Sequence, residues 1–185
     1  TSITKEDMRL EGVEIVQALA SRFGRYMMTE HSSIVDALVP LLGAERSILR
    51  KRVVACFATI SGSLPDNAFD TPVAFATSEA SGHKDARTRL QLVDALCNAS
   101  GSRTGPYVDG LAQRILVKAA EDIGEEPEDD ACEMIESCLI ALVTFLTRCP
   151  KEMAPHLPAL LKLTLRSVTR PDVSRQPIHS ARGGF

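Results

Sequence analysis

A short pattern recurs along the chain at a nearly constant interval. Val16-x-Ala18-Leu19, followed by Gly24, returns 38 residues later as Val54-x-Cys56-Phe57 with Gly62. It returns again after 39 as Val93-x-Ala95-Leu96 with Gly101, and more faintly after 46 as Leu139-x-Ala141-Leu142. An acidic insertion accounts for the longer last step. The residues around each copy repeat at helical spacing. Val108, Leu111, Ala112, Ile115, Leu116 and Ala119 form one apolar stripe, Cys132, Ile135, Leu139, Leu142, Val143 and Leu146 a second, and Leu157, Leu160, Leu161, Thr164, Leu165 and Val168 a third. On the first helix, Gly12, Ile15, Leu19 and Phe23 lie opposite Glu11, Glu14, Ser21 and Arg22. Nothing alternates as a strand would.

Glycine and proline divide this pattern into eight helical segments, roughly 5–23, 28–42, 45–61, 66–80, 84–100, 105–121, 129–148 and 151–168. Gly24, Gly43, Gly62, Gly82, Gly101 and Gly124 fall where helix C-terminal caps fall. Pro65, Pro106 and Pro150 fall where helices begin. Pro72 should delay or kink the fourth segment. Composition agrees: 21 Ala and 20 Leu stand against six Phe, two Tyr and no Trp. One short hairpin cannot bury both its apolar faces, whereas hairpins stacked at 38 to 46 residues share a core, which is the period of HEAT and armadillo units. The expectation is an all-α fold, an α-solenoid of about four HEAT-type hairpins over 1–168. A flexible tail is expected over 169–185.

Several functions are excluded or disfavoured. No apolar run exceeds six residues, too short to span a membrane. The net charge of −3 disfavours a general nucleic-acid binder. Five cysteines, without CxxC and mostly among apolar residues, fit reduced, buried thiols in the cytoplasm or nucleus. There is no phosphate-binding glycine loop, nucleophile elbow or HExxH motif, and the four histidines lack metal-ligand spacing. No cofactor, metal or small-molecule substrate is expected. The acids Glu125, Glu126, Asp129 and Asp130 lack the hydrophobic cradle that would tune a catalytic pair.

Charge is concentrated. Residues 120–136 hold nine acids and no base, whereas 137–185 hold seven bases and two acids. The acidic run reads as a solvated loop leading into a dipole-stabilised helix start, or as a contact for a basic partner. Arg46, Arg50, Lys51 and Arg52 open the third helix, and Lys84, Arg87 and Arg89 the fifth. In HEAT arrays such helices are the second of each hairpin and line the concave side. Two roles compete for these bases. They either pair with acids of the adjacent hairpin, such as Asp85 or Asp94, or form a stripe for an acidic partner. In the second role the partner-binding residues are Arg46, Arg50, Lys51, Arg87 and Arg89.

The residues from Met8 to Gly24 (MRLEGVEIVQALASRFG) and from Leu49 to Leu64 (LRKRVVACFATISGSL) resemble the N-terminal HEAT repeats of the cullin-associated, neddylation-dissociated protein family. Arg148-Cys149-Pro150-Lys151-Glu152, continuing to Leu165 and to Arg170, Pro171 and Asp172, is similar to a later repeat of that family. The resemblance implies a non-catalytic scaffold that wraps cullin–RING ubiquitin ligases lacking the neddylation modifier, blocks that modification and promotes exchange of substrate receptors. It implies a partner at the cullin C-terminal, RING-bound end, and work in cytoplasm and nucleus. Other HEAT scaffolds, such as nuclear transport receptors or phosphatase scaffold subunits, share the same periodicity.

Overall fold

A computed structural model describes residues 5–80, 82–122 and 129–168, and every element in it is helical. The helices are α1 (Lys5–Phe23), α2 (His31–Leu38), α3 (Ser47–Ile60), α4 (Asp66–Thr77), α5 (His83–Asp122), α6 (Asp129–Arg148), α7 (Pro150–Met153) and α8 (Leu157–Val168). Short 3-10 turns flank α2, at Met28–Glu30 and Val39–Gly43. In the second of these Pro40 sits at the start and has no N–H to continue an α-helical ladder. Another 3-10 turn follows α1 at Gly24–Tyr26, and a fourth, Ala154–His156, joins α7 to α8 as one segment. The described residues therefore hold an all-α fold of seven joined helical segments.

The expected count was eight, and α5 explains the difference. Segments 84–100 and 105–121 run together as one 40-residue helix, interrupted only at Ser100 (φ −148°, ψ 48°). Gly101 falls just after this break, as expected, but without the positive φ of a left-handed cap. It sits inside the bent helix, where an added Cβ would lie 2.9 Å from Cβ of Arg148 on α6. The bend falls where a bare backbone lets α6 approach. Pro106 likewise lies inside α5 instead of opening a new helix. Pro72 neither delays nor ends α4, which stops at Thr77, short of the expected residue 80.

Packing follows sequence order. α1 lies on α3, α3 on α5, α4 and α6 also on α5, and α8 on α5. The core threads these contacts through Leu49, Phe57, Ile60, Leu92, Leu96, Leu142 and Phe145, all at most 1% exposed. The stripe on the second arm of α5 is buried as expected: Val108, Ala112, Ile115, Leu116 and Ala119 are covered. The expected stripes at the two ends are not. On α1 the covered residues are Val13 and Ala20, because the side that meets α3 carries them. Ile15, Leu19 and Phe23 are exposed. On α8 Leu163 is buried and Leu160 partly so, whereas Leu157, Leu161, Leu165 and Val168 are exposed. On α6, Cys132 and Val143 are exposed while Cys138, Ala141, Leu142 and Phe145 carry the contact. Most of the acidic loop, including Glu125 and Glu126, and the tail 169–185 lie outside the described residues.

Candidate functional site: a basic cleft on stacked helices

Side chains on neighbouring helices are bridged at the interval seen in the sequence. Arg46 donates to Asp7 (2.5 Å), 39 residues away, and Arg52 pairs with Glu14 (3.0 Å). Arg103 reaches Asp66, 37 residues away, at 2.8 Å, and Tyr107 reaches Asp70. Past the acidic insertion the step widens. Arg148 donates to Asn98, 50 residues away, and His156 bonds Asp109, 47 away. The separations, 37 to 50 residues, lie close to the 38 to 46 of the sequence pattern.

These bridges consume some of the expected binding residues. Arg46 is held by Asp7 and Glu6 on α1. Arg89 is turned toward α4: it pairs with Asp85 on its own helix at 3.0 Å, donates to the carbonyl of Phe75 and the hydroxyl of Ser78, and lies 4.2 Å over the Phe75 ring. Asp94 accepts from Thr144 of α6 instead of from an arginine.

Arg50, Lys51 and Arg87 come together. With Lys84 they line a cleft of about 370 Å³ between the starts of α3, α5 and α6, with Glu133 and the buried Met134. Arg50 donates to the carbonyls of Ala44 and Glu45 (both 2.7 Å) and to Oγ1 of Thr88 (3.1 Å). All its hydrogen-bond acceptors are neutral, which fixes its charge in place, while the Glu45 carboxylate feels that charge without bonding it. Lys51 is exposed and has no ion-pair partner among the described residues. Lys84 holds Glu45 at 2.9 Å, and this hydrogen bond and charge keep the Glu45 carboxyl below the usual range. Arg87 pairs with Glu133. Lys84 and Arg87 are thus paired directly with carboxylates, whereas Arg50 and Lys51 make no salt bridge among the described residues.

Two arginine roles were visible only in the structure. Arg103 donates to the carbonyls of Ser61 (3.1 Å) and Leu64 (2.9 Å) and lies 4.0 Å over the Phe69 ring. With Arg89 it clamps α4 at both ends from the two arms of α5. The signal for it was its spacing, one period beyond Leu64 and Asp66. Among the described residues, no three His, Cys, Asp or Glu side chains are grouped to hold a metal ion, and no helix is long and apolar enough to cross a membrane. Four cysteines are buried and Cys132 is exposed. Burial pushes the thiols of Cys56 and Cys97 up to about 11 and about 12, a setting for packing, not nucleophilic attack.

Helices bridged at these separations, with a charged cleft where α3, α5 and α6 begin, define an all-α protein. No protein-family model matches the chain. Among curated proteins it is 29% identical over 174 residues to cullin-associated NEDD8-dissociated protein 1 of Drosophila melanogaster, covering 91% of this chain. It is 32% identical over 170 residues to cullin-associated NEDD8-dissociated protein 2 of Mus musculus, covering 86% of this chain, and 28% identical over 166 residues to the Arabidopsis thaliana protein 1. The chain resembles this family, as the sequence suggested. It spans about an eighth (13%) of the length of these relatives.

Proposed function

We propose that the chain is part of a non-catalytic scaffold that wraps cullin–RING ubiquitin ligases lacking the neddylation modifier, hinders their modification and promotes exchange of substrate receptors. The observation that carries this reading is similarity to cullin-associated proteins over 86% to 91% of the chain. In this reading residues 1–168 are an α-solenoid of HEAT-type hairpins. α1, α3, the first arm of α5 and α6 are the second helices, on the concave side. The bridges at 37 to 39 and 46 to 50 residues support it, since stacked repeats contact their neighbours at the repeat interval. The apolar stripes left exposed on α1 and α8 fit faces onto which further hairpins stack.

The face with Arg50, Lys51 and Arg87 meets the cullin C-terminal, RING-bound region, in cytoplasm and nucleus. No cofactor takes part. Electrostatics there steer the partner more than they hold it, because the grip of a long solenoid is distributed. The test is capture of a purified cullin C-terminal region with its RING protein, with and without the modifier attached. The chain alone should bind the unmodified form weakly, and more tightly when joined to adjoining repeats. No capture by the longer form would sink the reading.

A further inference from the structure

The cleft at the starts of α3, α5 and α6 already contains an anion, and that anion is a carboxylate of the chain itself. Glu133 pairs with Arg87 from the first turns of α6. Its side chain is 53% exposed, so nothing around it holds it there except the charge it meets. The pairing is also incomplete. Nη1 of Arg87 makes the bond, while its Nε–H is buried and has no acceptor among the described residues. A guanidinium presents parallel donors, and a carboxylate aligned with that fork takes two of them. Glu133 therefore fills the place of a ligand without using all that the place offers.

The rest of the cleft points the same way. Arg50 is clamped by two carbonyls and a hydroxyl, so its charge is presented in a fixed position. Lys51, one residue on, adds a second charge without a salt bridge among the described residues. Met134 forms an apolar wall beside them. A volume of about 370 Å³ admits two or three side chains and excludes a folded element.

The geometry points to a binding site for a short acidic segment of a partner protein, in which one partner carboxylate displaces Glu133 from Arg87 and a second meets Arg50 and Lys51. Glu133 is a built-in competitor. It keeps the cleft closed to weakly acidic sequences and yields to a segment with two adjacent acids. This inference rests on the reading that this face meets the partner, but its chemistry can be tested without that partner.

The experiment is fluorescence anisotropy of labelled hexaglutamate with the 185-residue chain at low ionic strength. Glu133→Gln should tighten binding roughly two- to fivefold, the size of one exposed ion pair removed from competition. Lys51→Glu should weaken it several-fold. Glu136→Gln alters the net charge equally at an exposed position of the same helix but lies outside the cleft, and should leave affinity nearly unchanged. Melting curves of all three should match the parent, since each side chain is exposed. The inference is overturned if Glu133→Gln binds no tighter, if Glu136→Gln tightens binding equally, or if an oligothymidylate of matched charge responds to the variants as the peptide does. Suppose the peptide behaves as expected but Lys51→Glu leaves cullin capture intact. Then the acidic-segment site stands and the partner-face reading falls. If instead cullin capture depends on Lys51 while hexaglutamate binding is indifferent to Glu133, the partner face stands and the acidic-segment site falls.

Discussion

Arg103 is the single side chain whose loss should show most directly how the helices are held. Replacing it with Met keeps the stem over Phe69 and removes the guanidinium. Two charge-assisted bonds to the carbonyls of Ser61 and Leu64 disappear, which close the end of α3 and the approach to α4. Such bonds contribute about 1.5 to 3 kcal/mol each, and the lower figure applies because the Arg103 side chain is 25% exposed. The ion pair to Asp66 adds little, because that carboxylate is 97% exposed. The stacking on Phe69 contributes about 0.5 to 1 kcal/mol. Recovered side-chain freedom offsets part of the loss, which leaves Arg103→Met destabilised by about 2 to 3 kcal/mol. For a domain of this size that lowers the melting temperature by roughly 5 to 10 °C. Urea titration followed by circular dichroism measures the energy, and amide exchange should show the start of α4 losing protection first. Arg103→Lys should recover less than half, since an ammonium cannot span both carbonyls and Asp66. Asp66→Asn should cost under about 0.5 kcal/mol. If Asp66→Asn costs as much as Arg103→Met, the ion pair carries the contact and the carbonyl argument is wrong.

Two of the three glycines of α5, Gly101 and Gly110, should respond with opposite signs. Gly101→Ala should lose about 1 kcal/mol and Gly101→Val about 3, because a Cβ there meets Cβ of Arg148 at 2.9 Å. Gly110→Ala, with nothing within 4 Å, should gain about 0.5 to 1 kcal/mol, both read from thermal melts. His31 is 1% exposed and neither ring nitrogen has a hydrogen-bond partner among the described residues. His31→Leu should therefore be neutral or raise stability by about 1 kcal/mol, whereas a clear loss would reveal a hidden partner. Thiol titration with an aromatic disulfide at about pH 8 should label Cys132 quickly. Cys56 and Cys97, buried and with thiols raised to about 11 and about 12, should react only on unfolding.

The period was legible because it is written in backbone-level constraints. Val16, Val54 and Val93 with their trailing glycines must recur if equivalent helices pack equivalently. The helix ends were less legible. Gly101 carries a capping signature, yet its missing Cβ serves the approach of Arg148, a demand from a different helix far along the chain. Pro72 should have disturbed α4, but Arg89 and Arg103 hold that helix at both ends. The stripe on α1 misled for a different reason. Its largest apolar residues face away, and the small Val13 and Ala20 meet α3. The basic stripe was legible as a cluster of charge and not as a division of labour. Which bases are consumed depends on where Asp7, Glu14 and Phe75 fall across the helix interfaces, and no local pattern records that. Arg50, Lys51 and Arg87 share a cleft because the counterparts of Arg46 and Arg89 lie elsewhere.

The bent α5 also has a mechanical meaning. Most successive helices in this chain are joined by turns, and every turn is a point of compliance where neighbouring elements can swivel. Between its two arms α5 has no turn, only one non-helical residue braced by Arg148 against Gly101. Its two arms meet at one kink, and α4 is gripped from both of them, by Arg89 from the first and by Arg103, Tyr107 and Arg114 from the second, so the pair behaves as a beam with a single elbow. The angle at Ser100 sets how far a surface running from α3 to α8 can open.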